Sequence, residues 1–82
     1  MKVLKFWAAW CSPCKVLKTT LNGFDKCEIT EINIEEDSIL TNKFAVRKLL
    51  TLIIIDDNEE ELWRHTGVIS KMQLEQAIAN IK

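Results

Sequence analysis

The sequence predicts a single α/β domain of the order β-α-β-α-β-β-α, built on a four-stranded mixed sheet flanked by helices. Three observations carry this reading. Apolar segments of strand length alternate with segments of helical period. A strand–helix–strand opening favours parallel pairing through a crossover. The chain of 82 residues has room for one domain, spanning residues 1–82.

Each element has its own signal. Residues 2–8, KVLKFWA, are short and apolar and read as a buried strand. Ser12 and Pro13 form a cap and first-turn pair for a helix. Val16, Leu17 and Leu21 then recur at helical spacing, and Asn22-Gly23 supplies the stop. From Cys27 to Ile34 the pattern alternates, with Ile29, Ile32 and Ile34 among polar residues, as in a strand. A second helix is expected over about residues 37–46, with Ile39, Leu40 and Phe44 as its apolar face. Thr51 to Ile55 is β-branched and apolar on both parities, which suits a central strand. Asp56-Asp57-Asn58 marks a turn, and residues 60–65 return as an antiparallel partner. Ser70 and Gln73 have capping-box spacing, followed by Leu74, Ala77, Ile78 and Ile81 on one face of a last helix.

Composition narrows the function. Hydrophobic residues make up 48% and charged residues 28%, a globular balance. The net charge of −1 argues against nucleic acid as a partner, because counterion displacement needs a basic face. No apolar run approaches the roughly 20 residues that cross a bilayer, so no membrane role is expected. The first residues pass for a signal peptide only superficially. Lys5 interrupts the apolar stretch, two cysteines end it, and removal would consume the first strand. A cytoplasmic location is therefore expected.

Three cysteines do not make a closed disulfide framework. Cys11 and Cys14 have C-x-x-C spacing, which in a cytosolic chain means redox chemistry or metal binding more often than a structural staple. Their place at a strand-to-helix junction favours redox chemistry. A helix N-terminus carries unpaired N–H groups and partial positive charge, so the Cys11 thiol is expected to ionise below its free value of about 8.5. Cys14 lies a turn deeper, within reach of the Cys11 sulfur. Pro13 stiffens the turn, and Trp10 offers a flat apolar surface beside the nucleophile. A zinc or iron–sulfur site would want further ligands. Cys27 and His65 are the remaining candidates, and neither stands at ligand spacing. Cys27 is read instead as a small, at least half-buried residue, and His65 as an edge histidine.

The run Phe6-Trp7-Ala8-Ala9-Trp10-Cys11-Ser12-Pro13-Cys14-Lys15 resembles the F-W-A-x-W-C-G-P-C-K motif of the thioredoxin family. Ile32-Asn33-Ile34-Glu35 resembles the strand end before that family's second helix. Phe44-Ala45-Val46-Arg47, with Thr51-Leu52, resembles its Y-G-I-R-x-x-P-T-L region. Gly67 matches a glycine of its substrate groove. The resemblance implies a thioredoxin-like fold and protein-disulfide reductase activity. It implies disulfide-containing protein substrates, and recharging by a thioredoxin-reductase-type or glutathione reductant. No cofactor or metal beyond the Cys11–Cys14 disulfide is expected, and the protein is expected to act as a monomer. Cys11 is assigned the attacking role and Cys14 the resolving one. Trp10, Leu49, Leu50 and Gly67 are assigned to the docking groove, with Lys15, Lys18, Arg47 and Lys48 as a basic rim. A glutathione-dependent, glutaredoxin-like reductase and a metal-binding or non-catalytic module of the same fold are the alternatives.

The sequence departs from the family pattern in four places. The chain begins at the strand before the active site, as in the minimal, glutaredoxin-sized version of the fold. Ser12 replaces a glycine. Leu50 stands where the family has its cis-proline. A non-proline cis bond costs roughly 2.5–4 kcal/mol, so a trans Leu49–Leu50 bond and a rearranged loop are expected. Lys5 occupies the place of a buried Asp, and Glu31 that of a Lys often near it. The two either pair beneath Cys14 or stand as solvated strand residues. If they pair, Glu31 is a candidate base for Cys14, and Lys5 favours its thiolate.

Overall fold

The computed structural model describes residues 1–81. Its elements are β1 (Lys2–Trp7), α1 (Ser12–Thr20), β2 (Glu28–Asn33), α2 (Ser38–Lys43), β3 (Thr51–Ile55), β4 (Glu61–Thr66) and α3 (Lys71–Ile81). The sheet order is β2-β1-β3-β4. β1 runs parallel to β2, and the β1–β3 and β3–β4 pairs are antiparallel. This is the mixed, helix-flanked sheet expected from the sequence.

Strand alternation sorts the core into two layers. Val3 faces a cluster with Leu17 and Leu21 of the α1 region and Leu74, Ala77 and Ile78 of α3. Leu4 and Phe6 face the other side, where they meet Ile32, Ile53 and Phe44. β3 is buried along its whole length, which explains its lack of a polar face. The α3 start is closed by the reciprocal capping box. The Gln73 N–H donates to Ser70 Oγ at 3.2 Å, and the Ser70 N–H donates to Gln73 Oε1 at 3.1 Å.

Three local expectations are corrected. Val16 points outward at 55% exposure; the buried face of α1 is Cys14 and Leu17, continued by Leu21. Ile39 likewise lies 80% exposed, leaving Leu40 and Phe44 to contact the core. The second helix also stops three residues early, at Lys43. Ala45 takes a positive φ of 51°, which ends the helix. Arg64 of β4 donates from Nη2 to the Phe44 carbonyl, satisfying an acceptor left free at that helix end.

The Leu49–Leu50 peptide bond is cis, which overturns the expected trans bond and the rearrangement built on it. The intrinsic preference of an isolated peptide is overridden by the surroundings of this segment. Leu50 is fully buried in the cluster that contains Cys11 and Cys14. Its carbonyl accepts the Gly67 N–H at 2.8 Å, and Thr51 Oγ1 donates to the Lys48 carbonyl at 2.6 Å. The loop entering β3 is thus tied on both sides.

Candidate active site

The site forms where β1 ends and α1 begins. The Cys11 N–H donates to the Ala8 carbonyl at 3.1 Å, which turns the chain out of the strand. Cys11 then serves as the N-cap of α1 in extended conformation, with Pro13 in the first turn. Its sulfur accepts the Cys14 N–H at 3.3 Å. A sulfur in place of the usual Ser or Asp oxygen at the cap therefore accepts a hydrogen bond from one of the helix's free amide groups. No acidic residue lies in the first turn, so the positive helix end is not offset there.

Cys11 and Cys14 are joined as a disulfide, with their Cα atoms 5.4 Å apart. Both residues are almost fully buried. Trp10 beside them is 67% exposed, an apolar surface next to the sulfurs. Leu50 is fully buried in the same core cluster as the dithiol, so its side chain does not line an open groove as expected. Leu49, half-buried, and Gly67, with φ +104° and its N–H on the Leu50 carbonyl, hold the surface positions of that segment.

Beneath Cys14 lies a cleft of about 330 Å³ lined by Lys5, Trp7, Cys14, Lys15, Lys18 and Glu31 among others. The parallel register sets Lys5 opposite Glu31. Lys5 Nζ donates to Glu31 Oε1 at 3.2 Å, which answers the question left open by the sequence: the two pair. The Lys5 side chain is 5% exposed and that of Glu31 45%. The lysine stem lies within the sheet–helix layer, and its ammonium reaches a carboxylate at the rim.

Other residues stand apart from the dithiol chemistry. Cys27 is half-buried just before β2 and donates its S–H to the Met1 carbonyl at 3.1 Å. His65, half-buried on β4, stacks on Trp63 at 5.8 Å between ring centroids. Among the described residues, no three His, Cys, Asp or Glu side chains come together as a metal site. Among the same residues, no helix is long and apolar enough to cross a membrane. The backbone ties from Ala8, Lys48 and Gly67 were not anticipated. Main-chain donors and acceptors leave no trace in residue identity, although Gly67, the donor to the Leu50 carbonyl, carries a signal of its own.

A buried disulfide capping a helix at the end of a central strand defines a thiol–disulfide oxidoreductase. Comparison with known proteins places it further. The family model described as Thioredoxin matches residues 1–80. The thioredoxin of Buchnera aphidicola from the pea aphid Acyrthosiphon pisum is 32% identical over 79 residues, covering 90% of this chain and 72% of the relative. That of Alicyclobacillus acidocaldarius is 30% identical over 84 residues, covering 96% and 79%. Among solved structures, a malaria-parasite thioredoxin-2 superposes with a TM-score of 0.83 at 25% identity, over 95% of this chain and 80% of that one. A mutant thioredoxin of Halobacterium salinarum gives 0.83 at 26% identity, over 96% and 72%. The chain belongs to the thioredoxin family, and its Cys11–Cys14 pair is that of a protein-disulfide reductase.

Proposed function

We propose that Cys11 is the attacking and Cys14 the resolving thiol in the reduction of disulfides on protein substrates. The observation that supports this assignment is the Cys14 N–H directed at Cys11 Sγ, which stabilises negative charge on that sulfur. The Cys11 thiolate attacks one sulfur of the substrate disulfide. A Cys11–substrate S–S bond forms, the substrate bond breaks, and the departing sulfur takes up a proton. The Cys14 thiol then loses its proton, and Glu31, on the same cleft and open to solvent, is the acceptor. The Cys14 thiolate attacks Cys11 Sγ, closes the disulfide and releases the second substrate thiol. Two electrons have passed from the protein to the substrate. Trp10, Leu49 and Gly67 form the docking surface, and the exposed Lys15, Lys18, Arg47 and Lys48 its basic rim.

In this reading the chain works as a monomer in the cytoplasm and is recharged by a thioredoxin-reductase-type flavoenzyme. A glutathione reductant is the second possibility. The test is trapping on insulin. Cys14→Ser is expected to accumulate a mixed disulfide through Cys11, and Cys11→Ser to accumulate none. The reverse pattern overturns the assignment. Turnover with NADPH and a thioredoxin reductase, set beside turnover with glutathione, identifies the recharging partner.

A further inference from the structure

Lys5 is the one buried charged side chain among the described residues. Burial of an ammonium is costly and needs a compensating partner. Glu31 supplies one, yet from the rim rather than from within the layer. On β1, Val3 and Trp7 share the face that Lys5 presents to α1, and the same cleft touches Lys5 and Cys14. The charged groups facing that cleft are Lys5 from β1, Lys15 and Lys18 from α1, and Glu31 from β2. Three cations stand against one carboxylate. Lys15 and Lys18 are exposed and screened by water, whereas Lys5 acts from the low-dielectric side.

We propose that Lys5 is a redox-tuning residue: its buried ammonium stabilises the Cys14 thiolate and so makes the Cys11–Cys14 couple more oxidising than an uncharged residue 5 would. The inference rests on the dithiol function argued above. Reduction by glutathione consumes two glutathione thiols and the protein disulfide, and yields the protein dithiol and glutathione disulfide. Any group that stabilises the anionic form of the dithiol draws this equilibrium towards the reduced protein. Cationic stabilisation of a thiol is typically worth about one to three pKa units, and at a pH above the thiol's value with and without the cation one unit corresponds to about tenfold in the equilibrium constant. Glu31 has the opposite electrostatic effect on Cys14 while it anchors the ammonium. The two members of one ion pair therefore act on the couple with opposite signs.

The test is the equilibrium of the full chain with defined glutathione and glutathione-disulfide mixtures, read by alkylation of free thiols. Lys5→Met keeps the length and apolar stem and removes the charge. At about pH 9.5, above the ordinary thiol value, it is expected to lower the equilibrium constant for reduction about tenfold, equivalent to a potential about 30 mV more reducing, and the effect is expected to fade towards neutral pH. Glu31→Gln is expected to raise the constant, and Lys5→Arg to keep it near the wild-type value. In a Cys11→Ser background, Lys5→Met is expected to move the 240 nm thiolate absorbance of Cys14 to higher pH. Far-UV circular dichroism confirms that each variant is folded. If Lys5 only packs, loss of either partner moves the constant in the same direction or not at all, and that result overturns the proposal. Unchanged constants in variants that still reduce insulin overturn the tuning role and leave the dithiol function standing. A wild-type chain that exchanges with neither glutathione nor insulin overturns both.

Discussion

Gly67→Ala separates backbone cost from groove geometry, because the two enter the structure independently at this residue. Gly67 has φ +104°, beyond the left-handed region that non-glycine residues occasionally use. A Cβ built there meets no heavy atom within 4 Å, so crowding contributes nothing. The whole cost is conformational, about 1–3 kcal/mol. For a domain of this size each kcal/mol lowers Tm by about 4–8 °C, so a fall of roughly 8–16 °C is expected for a cost of about 2 kcal/mol. Gly23, at the far end of α1, is the control. It has φ +82°, and its added Cβ would meet only the tip of Lys71 at 3.5 Å. Gly23→Ala is therefore expected to lose stability by a similar mechanism. Only Gly67→Ala places a methyl group on the proposed docking surface beside the Leu49–Leu50 segment. The assays are thermal unfolding by circular dichroism and insulin reduction at a temperature where both variants are folded. An unchanged Tm in Gly67→Ala refutes the conformational argument. Equal loss of insulin reduction in the two variants refutes the place of Gly67 in the groove.

Two further outcomes test the frame around the site. Ser70→Ala removes one half of the α3 capping box and is expected to cost about 1 kcal/mol, measured by urea unfolding. Glu59 accepts a hydrogen bond from Lys43 at 3.0 Å, and that bond, reinforced by the lysine's charge, holds its carboxyl below the ordinary carboxylate value. A depressed folded value means that this pair's contribution is present above the unfolded value and lost as pH falls through the folded one. Lys43→Met should return Glu59 to the ordinary range in an NMR titration, with the acid limb of the stability profile flattened accordingly.

What was legible in the sequence follows from what each signal depends on. β3 announced itself because a strand covered on both faces must be apolar at both parities, and Thr51–Ile55 is. The starts of α1 and α3 were legible because start signals depend on residues close in sequence, as with Pro13 in the first turn and Ser70 with Gln73, although the cap of α1 is Cys11 and not the Ser12 expected from its residue type. Val16 and Ile39 misled because short helices have too few turns to distinguish a buried position from its neighbour one step round. The α2 end was invisible, since Ala45 is not a residue that advertises positive φ, and the arginine that satisfies Phe44 lies 20 residues on. The Leu49–Leu50 geometry was misread for the same reason. A local preference was applied where burial of Leu50 and the Gly67 hydrogen bond decide the outcome.

The Lys5–Glu31 pair shows why register alone does not settle what a site does. Parallel pairing makes residues 5 and 31 neighbours whatever charges they carry, and one of each sign keeps the pair locally neutral. The two positions are not equivalent, however. Residue 5 lies inside the layer and residue 31 at its rim, 5% against 45% exposed at the side chain. The charge at the rim is shared with water, and the charge inside is felt by whatever packs beside it. Exchanging the two signs therefore preserves the ion pair and reverses the field beneath Cys14. A carboxylate at position 5 would oppose ionisation of the resolving thiol until it accepted a proton; the ammonium found there favours ionisation from the outset. The same strand register and the same dithiol can thus serve couples of different redox poise, with the sign of one buried charge deciding between them.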